Sequence, residues 1–170
     1  MTAYVALLRA VNVGGTGKLP MAQLVALCEA AGFQRVRTYI ASGNVVFASP
    51  LREAGVQKAL AGALADYAGK PVGVIVRTAD EVAAVLAANP FADAPPNRTV
   101  AIFLDAPPPA DTIVSARHRD TERIALGTRE IYVAYGNGMA SSRLVIPAAA
   151  TGTARNMNTV ARLAHMAAAT

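Results

Sequence analysis

Tryptophan is missing from this chain, cysteine occurs once, and aromatic residues make up only 5 % of it. A single cysteine, Cys28, excludes an internal disulfide. No stretch reaches the ~18 uninterrupted apolar residues of a membrane span, and the first residues lack the charged-then-apolar pattern of a secretory signal. Together these features lead us to expect a cytoplasmic protein with no membrane partner. Two histidines and one cysteine at these spacings make no metal site. Carboxylates are few and scattered, so no acid/base pair can be read off and no reaction or cofactor is implied.

What is present is a compact, alanine-rich composition. Hydrophobic residues are 54 % of 170, with mean hydropathy +0.34. A chain of this size buries roughly 70 % of its extended surface on folding, so it needs no disulfide or metal staple. The net charge is +5. Residues 1–90 carry eight Lys+Arg against five Asp+Glu, and residues 91–170 carry eight against six, so neither half is a basic tail. A mild positive excess suits a phosphorylated ligand or nucleic acid, and a plain soluble protein equally.

The stretch Arg37–Phe47 organises the first half. Thr38-Tyr39-Ile40 and Val45-Val46-Phe47 suit strands. Ser42-Gly43-Asn44 between them supplies a hairpin turn. Before it, residues 3–11 read as a buried strand and Asn12–Lys18 as a glycine-rich loop. Pro20 is placed as the first residue of a helix buried at Met21, Leu24, Val25 and Cys28 and ended by Gly32. After it, Ser49 is expected to cap a helix buried at Val56, Leu60, Leu64 and Tyr67 and broken at Gly69-Lys70-Pro71. A strand over Val72–Arg77 completes β-α-β-β-α-β, the ferredoxin-like pattern.

Thr78-Ala79-Asp80-Glu81 is a capping box that opens a helix running to Ala88. Beyond it we expect a strand at Thr99–Leu104, a short helix at Ala110–Ala116 and a hairpin of Thr121–Leu126 with Arg129–Tyr135. One helical turn is placed at Ser141–Val145. A last helix runs from Arg155 or Asn156 to Ala167, burying Met157, Val160, Leu163 and Ala164. The fold class is therefore α/β (α+β). A ferredoxin-like subdomain, residues 1–77, is followed by a smaller α/β subdomain, residues 78–170, the two packed as one compact unit.

Several separated blocks together resemble the bacterial domain-of-unknown-function family DUF1697. They are Leu8–Gly15, Met21 and Leu24, Gly32-Phe33, Val36, Thr38–Phe47, Val76–Thr78, Asn89–Phe91, Arg129–Tyr132 and Thr153–Val160. The resemblance covers nearly the whole chain. It implies two α/β subdomains, the first ferredoxin-like, and brings no activity. Ala10, Ala41 and Met157 depart from residues common in the family, and at Met157 the departure removes an aromatic that could stack on a base.

The residues that could carry chemistry sit in loops. Gly14-Gly15-Thr16-Gly17-Lys18 is no Walker A motif, because Asn12 stands at the first glycine position and Leu19 follows the lysine. It still offers backbone N–H groups at a helix N-terminus with Lys18 beside them. Ser42 and Asn44 are turn residues that can also face a ligand. The end of the first strand is expected on the sheet edge opposite the hairpin turn, so Asn12 and Asn44 need not meet. Arg155, with Asn156 and Asn158, opens the last helix and can hold an anion, or cap the helix. Arg117-His118-Arg119-Asp120 reads as a solvated charge run or a phosphate-contacting edge.

These residues lead to one expectation. The protein binds a phosphate-bearing small molecule or nucleotide in a cleft between its subdomains, through Asn12, Gly14, Gly15, Gly17, Lys18, Ser42, Asn44, Arg155, Asn156 and Asn158. A nucleic-acid-binding module is the second reading and a protein-interaction domain the third. RNA modules of ferredoxin-like shape stack bases on aromatics of an open sheet face. Tyr4, Tyr39 and Phe47 are the strand aromatics available for that. The oligomeric state is left open.

Overall fold

The apolar run near the start forms β1 (Thr2–Leu8), an inner strand of the first sheet. The computed structural model describes residues 1–9, 18–40 and 43–170. After β1 come α1 (Met21–Ala30), β2 (Gln34–Tyr39), β3 (Asn44–Ser49), α2 (Glu53–Ala68) and β4 (Val74–Thr78). The strands lie in the order β2-β3-β1-β4, every pair antiparallel. This is the expected ferredoxin-like βαββαβ arrangement. Then follow α3 (Ala79–Ala87), β5 (Thr99–Phe103), β6 (Arg123–Leu126), β7 (Glu130–Ala134), β8 (Thr153–Asn156) and α4 (Met157–Ala168). They add a second antiparallel sheet in the order β6-β7-β5-β8, so the class is α+β. The chain divides into two compact units, Met1–Val82 together with Leu163–Thr170, and Ala83–Arg162.

In the first unit the two-residue period of the strands meets the helical stripes. Tyr4, Ala6 and Leu8 of β1, Val45 and Phe47 of β3, and Val74 and Val76 of β4 form one cluster with Leu24, Cys28, Val56, Leu60 and Leu64 of α1 and α2. Each fully buried leucine contributes about 1.5–3 kcal/mol. Phe33 stacks on Phe47 with ring centroids 4.3 Å apart, and the Tyr4 hydroxyl donates to the Leu51 carbonyl at 2.6 Å. The alternate residues Val5, Leu7, Val46 and Ile75 point to the other face and are buried as well. The C-terminal segment belongs to this unit: Arg37 Nη2 of β2 donates to the Met166 carbonyl at 2.8 Å and to Thr170 Oγ1 at 3.1 Å. Burial on both faces is why Tyr4–Leu8 of β1 is continuously apolar instead of alternating.

Local chemistry ends and starts the helices where the residue types demand. Gly32 leaves α1 with φ +89°, and the Phe33 N–H returns to the Cys28 carbonyl. Gly69 closes α2 at φ +71°. Thr78 and Glu81 form the reciprocal capping box, the Thr78 N–H on Glu81 Oε1 at 2.9 Å and the Glu81 N–H on Thr78 Oγ1 at 3.2 Å.

Elsewhere pairing overrides local preference. Pro20 precedes α1 by one residue. Ser49 does not cap α2: it is the last residue of β3, paired with Thr2, and its Oγ accepts from the Leu51 N–H, so α2 begins only at Glu53. Tyr67 stays 45 % exposed, off the buried stripe. The helix expected at Ala110–Ala116 is a set of turns, closed by Thr112 N–H to the Pro109 carbonyl and Ser115 N–H to the Asp111 carbonyl, with no run of helical bonds. Val145 is held extended by a bridge to Arg117, and the nearby 3₁₀ turn is Met139–Ser141. The last helix starts at Met157, because Thr153–Asn156 pairs with β5 as β8. Nothing in Thr-Ala-Arg-Asn marks a strand; the partner makes it one.

The second unit buries Val100, Ile102, Leu104, Ile124, Ile131, Val133 and Ile146 on one face of its sheet. On the other, the Tyr132 hydroxyl donates to the Val85 carbonyl at 2.7 Å, which ties the end of α3 to β7. Gly152, just before β8, touches this core: a Cβ there would lie 2.8 Å from Ile102, Leu104 and the Phe103 carbonyl. The backbone oxygen cannot swing away. Gly152→Ala is expected to destabilise the protein by about 1–3 kcal/mol, measured by urea unfolding, whereas Gly62→Ala, which meets nothing within 4 Å among the described residues, should not.

Candidate functional site

Asn12, Gly14, Gly15, Gly17 and Ser42 lie outside the described residues. Lys18 is exposed, next to the buried Leu19. Asn44 is fully buried at the start of β3, and its Nδ2 donates to the Tyr39 carbonyl at 2.9 Å across the turn. The end of β1 is not on the edge opposite the hairpin. β3 starts at the turn and runs antiparallel to β1, so Leu7 pairs with Asn44 and the Leu8 N–H donates to the Gly43 carbonyl at 2.8 Å. The Arg9 N–H donates to the Gly73 carbonyl at 2.9 Å, bringing the approach to β4 to the same end.

Arg155 sits on β8 opposite Ala101 of β5, with its side chain buried. Its Nη1 donates to Thr153 Oγ1 at 2.6 Å and to the Ala154 carbonyl at 2.9 Å. Burial pulls its pKa down to about 10, which still leaves it charged at neutral pH. Asn156 caps α4, its Oδ1 accepting from the Thr159 N–H at 2.9 Å, and Asn158 is exposed in the first turn.

The richest polar surface of the second unit lies where the β6–β7 pair ends. Arg123 pairs with Ala134, so Thr121 and Glu122 run beside Tyr135 and Gly136. Gly136 permits this approach: a Cβ there would stand 3.1 Å from Thr121 Oγ1. Two adjoining clefts open here, of about 90 Å³ and about 230 Å³, sharing Thr121, Tyr135 and Gly136. His118, Asp120, Glu122, Ser142 and Arg143 line the smaller; Asp93, Arg98 and Arg123 line the larger.

Glu122 is the anchor of the smaller cleft. Its carboxylate accepts from the Asp120 N–H at 2.6 Å and from the Ser142 hydroxyl, while Arg119 Nε donates to its carbonyl at 2.9 Å. The Ser142 hydrogen bond, followed by that of the Asp120 N–H, holds its pKa below the ordinary glutamate value. Tyr135 is shifted the other way, upward, by burial and then by the Glu122 charge. In the larger cleft Arg123 Nη2 lies 3.3 Å from the Asp93 carboxylate and its guanidinium stands 4.8 Å over the Phe91 ring. Arg98 Nη1 donates to the Gly136 carbonyl at 3.0 Å. Four basic side chains, His118 included, thus face a surface with three carboxylates, two of them already engaged with neighbouring groups.

Sequence reading singled out His118 and Asp120 in a charge run but not Arg98, Glu122, Arg123, Tyr135 or Arg143. No linear motif joins them; the turn glycines 136 and 138 were the only local signal. Among the described residues no group of three or more His, Cys, Asp or Glu side chains could hold a metal ion, and no helix is long and apolar enough to cross a membrane. Tyr4 and Phe47 are in the core, so neither offers a face to a base.

Over residues 1–132 the chain matches the family described as "Protein of unknown function (DUF1697)". Its structure is similar to that of the conserved bacterial protein SP0830 from Streptococcus pneumoniae, at 23 % identity with 98 % of each chain covered and a TM-score of 0.78. At that identity the likeness shows the fold alone. No curated protein matches the chain.

Two outcomes test this geometry. A carboxylate with a lowered native pKa stabilises the fold above its ordinary value, near 4.5 for Glu122, and that contribution is lost as pH falls through the lowered value. Glu122→Gln should therefore flatten the acid limb of a stability-against-pH curve, and Ser142→Ala should flatten it in part. Arg155→Ala, which removes buried charge-assisted hydrogen bonds, should cost about 1–3 kcal/mol in urea unfolding.

Proposed function

The chain belongs to the DUF1697 family, and from that membership, which carries no activity with it, we propose that the protein binds a phosphate-bearing small molecule. The reading keeps the anion chemistry expected from the sequence and rests it on side chains of the unit Ala83–Arg162. The observation that carries it is the pair of adjoining clefts around Tyr135, rimmed by Arg98, Arg123, Arg143 and His118.

Arg123 is the principal contact. Its present partner Asp93 is exposed, so their ion pair is worth about 0–1 kcal/mol. A phosphate, which a guanidinium grips with two parallel charge-assisted hydrogen bonds, outcompetes it. Arg98 flanks the same cleft, and the Thr121 hydroxyl adds a neutral donor. Glu122 plays the opposite part: a carboxylate kept ionised repels an anion from the smaller cleft unless the ligand brings a hydroxyl or amine there. The ligand class that satisfies both is a phosphate joined to a hydroxyl-bearing body, such as a sugar phosphate or the ribose phosphate of a nucleotide. Size agrees. The larger cleft, about 230 Å³, falls below the ~300–1,000 Å³ of drug-sized ligands. A cytoplasmic setting goes with this reading. Cys28, buried with its thiol pushed up to about 12, takes no part in chemistry there.

A thermal-shift panel of inorganic phosphate, sugar phosphates and mononucleotides at low salt tests the reading. A true ligand at about 100 times its Kd stabilises the protein by about 2.7 kcal/mol. Arg123→Ala and Arg98→Ala should each weaken binding about tenfold or more with the melting temperature of the free protein little changed. Silence across the panel removes the proposal. Binding to mixed single strands, with a log K slope near −2 against log salt for about three phosphates, would transfer it to nucleic acid.

A further inference from the structure

Between them α1 and α2 leave a surface groove of about 550 Å³ in the first unit, lined mostly by small and apolar side chains such as Leu27, Ala31 and Ala59. Among its lining residues is Gly62, in the interior of the 16-residue α2. Glycine there weakens a helix relative to alanine, because it loses more backbone freedom on ordering. Nothing in the protomer explains that weakness: a Cβ on Gly62 would meet no atom within 4 Å among the described residues. The open space over Gly62 leaves room for another surface to come close to the α2 backbone.

The charges at the groove identify that surface. Lys58 and Asp66 stand four residues to either side of Gly62, and both are exposed. Opposite charges placed symmetrically about the point of closest approach are complementary to their own image under a two-fold rotation. We propose that this face pairs with the same face of a second copy of the chain, α2 antiparallel to α2 across Gly62. Lys58 of one copy then meets Asp66 of the other, twice. Ala59 and Gly62 let the helices approach closely, as small residues at a helix crossing do. Leu27, Ala30, Ala31 and Ala63, which line the same groove, supply apolar area to cover. A partner of a different sequence has no need of charges balanced about a central glycine.

The test is sedimentation velocity of the full chain over a concentration series at low salt. A monomer–dimer equilibrium is expected. Lys58→Asp and Asp66→Lys should each weaken dimerisation about tenfold or more, since both symmetric contacts turn repulsive. The double variant, with the charges exchanged, should recover it. Gly62→Ala should raise the melting temperature of the monomer while weakening the dimer, a split that a purely structural glycine would not give. A chain that stays monomeric throughout overturns the proposal. So does a dimer that ignores the single reversals, or one that the double exchange fails to restore.

Discussion

A central strand with neither face in water constrains the whole first unit. From Tyr4 to Leu8 β1 must be apolar at every position, because α1 and α2 claim Tyr4, Ala6 and Leu8 while Val5 and Leu7 are buried on the reverse. The chain's last residues belong to the same unit, where Arg37 of β2 donates to the Met166 carbonyl. Burial on both sides also consumes the sheet. Where ferredoxin-like RNA modules leave one face open for aromatics, here Tyr4 and Phe47 are in the core and the reverse face is covered. What remains for recognition is the loops and the outer faces of the helices.

The second unit solves a different problem with less regular structure. Its long connections run through turns, and their polar groups need partners. Glu122 meets that need at one point, by collecting the Asp120 N–H and the Ser142 hydroxyl. A carboxylate used this way stays ionised and stiffens the rim of the cleft beside it. Arg98 acts similarly across the strand ends by donating to the Gly136 carbonyl. The surface thus held is polar and rich in arginine, with the Arg98 and Arg123 guanidinium groups on it.

Local chemistry made much of this legible. Gly32, Gly69 and the Thr78–Glu81 box act within a few residues of themselves, so their consequences can be read in a line. So can the β-α-β-β-α-β order, since each element carries its own periodicity and stop signal. Ser49 shows the limit. As a serine before a proline it has the chemistry of a helix cap, yet pairing with Thr2 extends β3 to include it and displaces the helix start to Glu53.

By itself, then, the sequence determined the elements of the first unit, their order and the apolar stripes that hold them, because those depend on interactions between near neighbours and on repeating burial. Tertiary structure alone decided β8, the covering of the reverse face and the assembly of Arg98, Arg123, Tyr135 and Arg143 around one pair of clefts. These are contacts between residues tens of positions apart, and which of them meet is fixed by strand pairing, a property that no single segment of the chain contains.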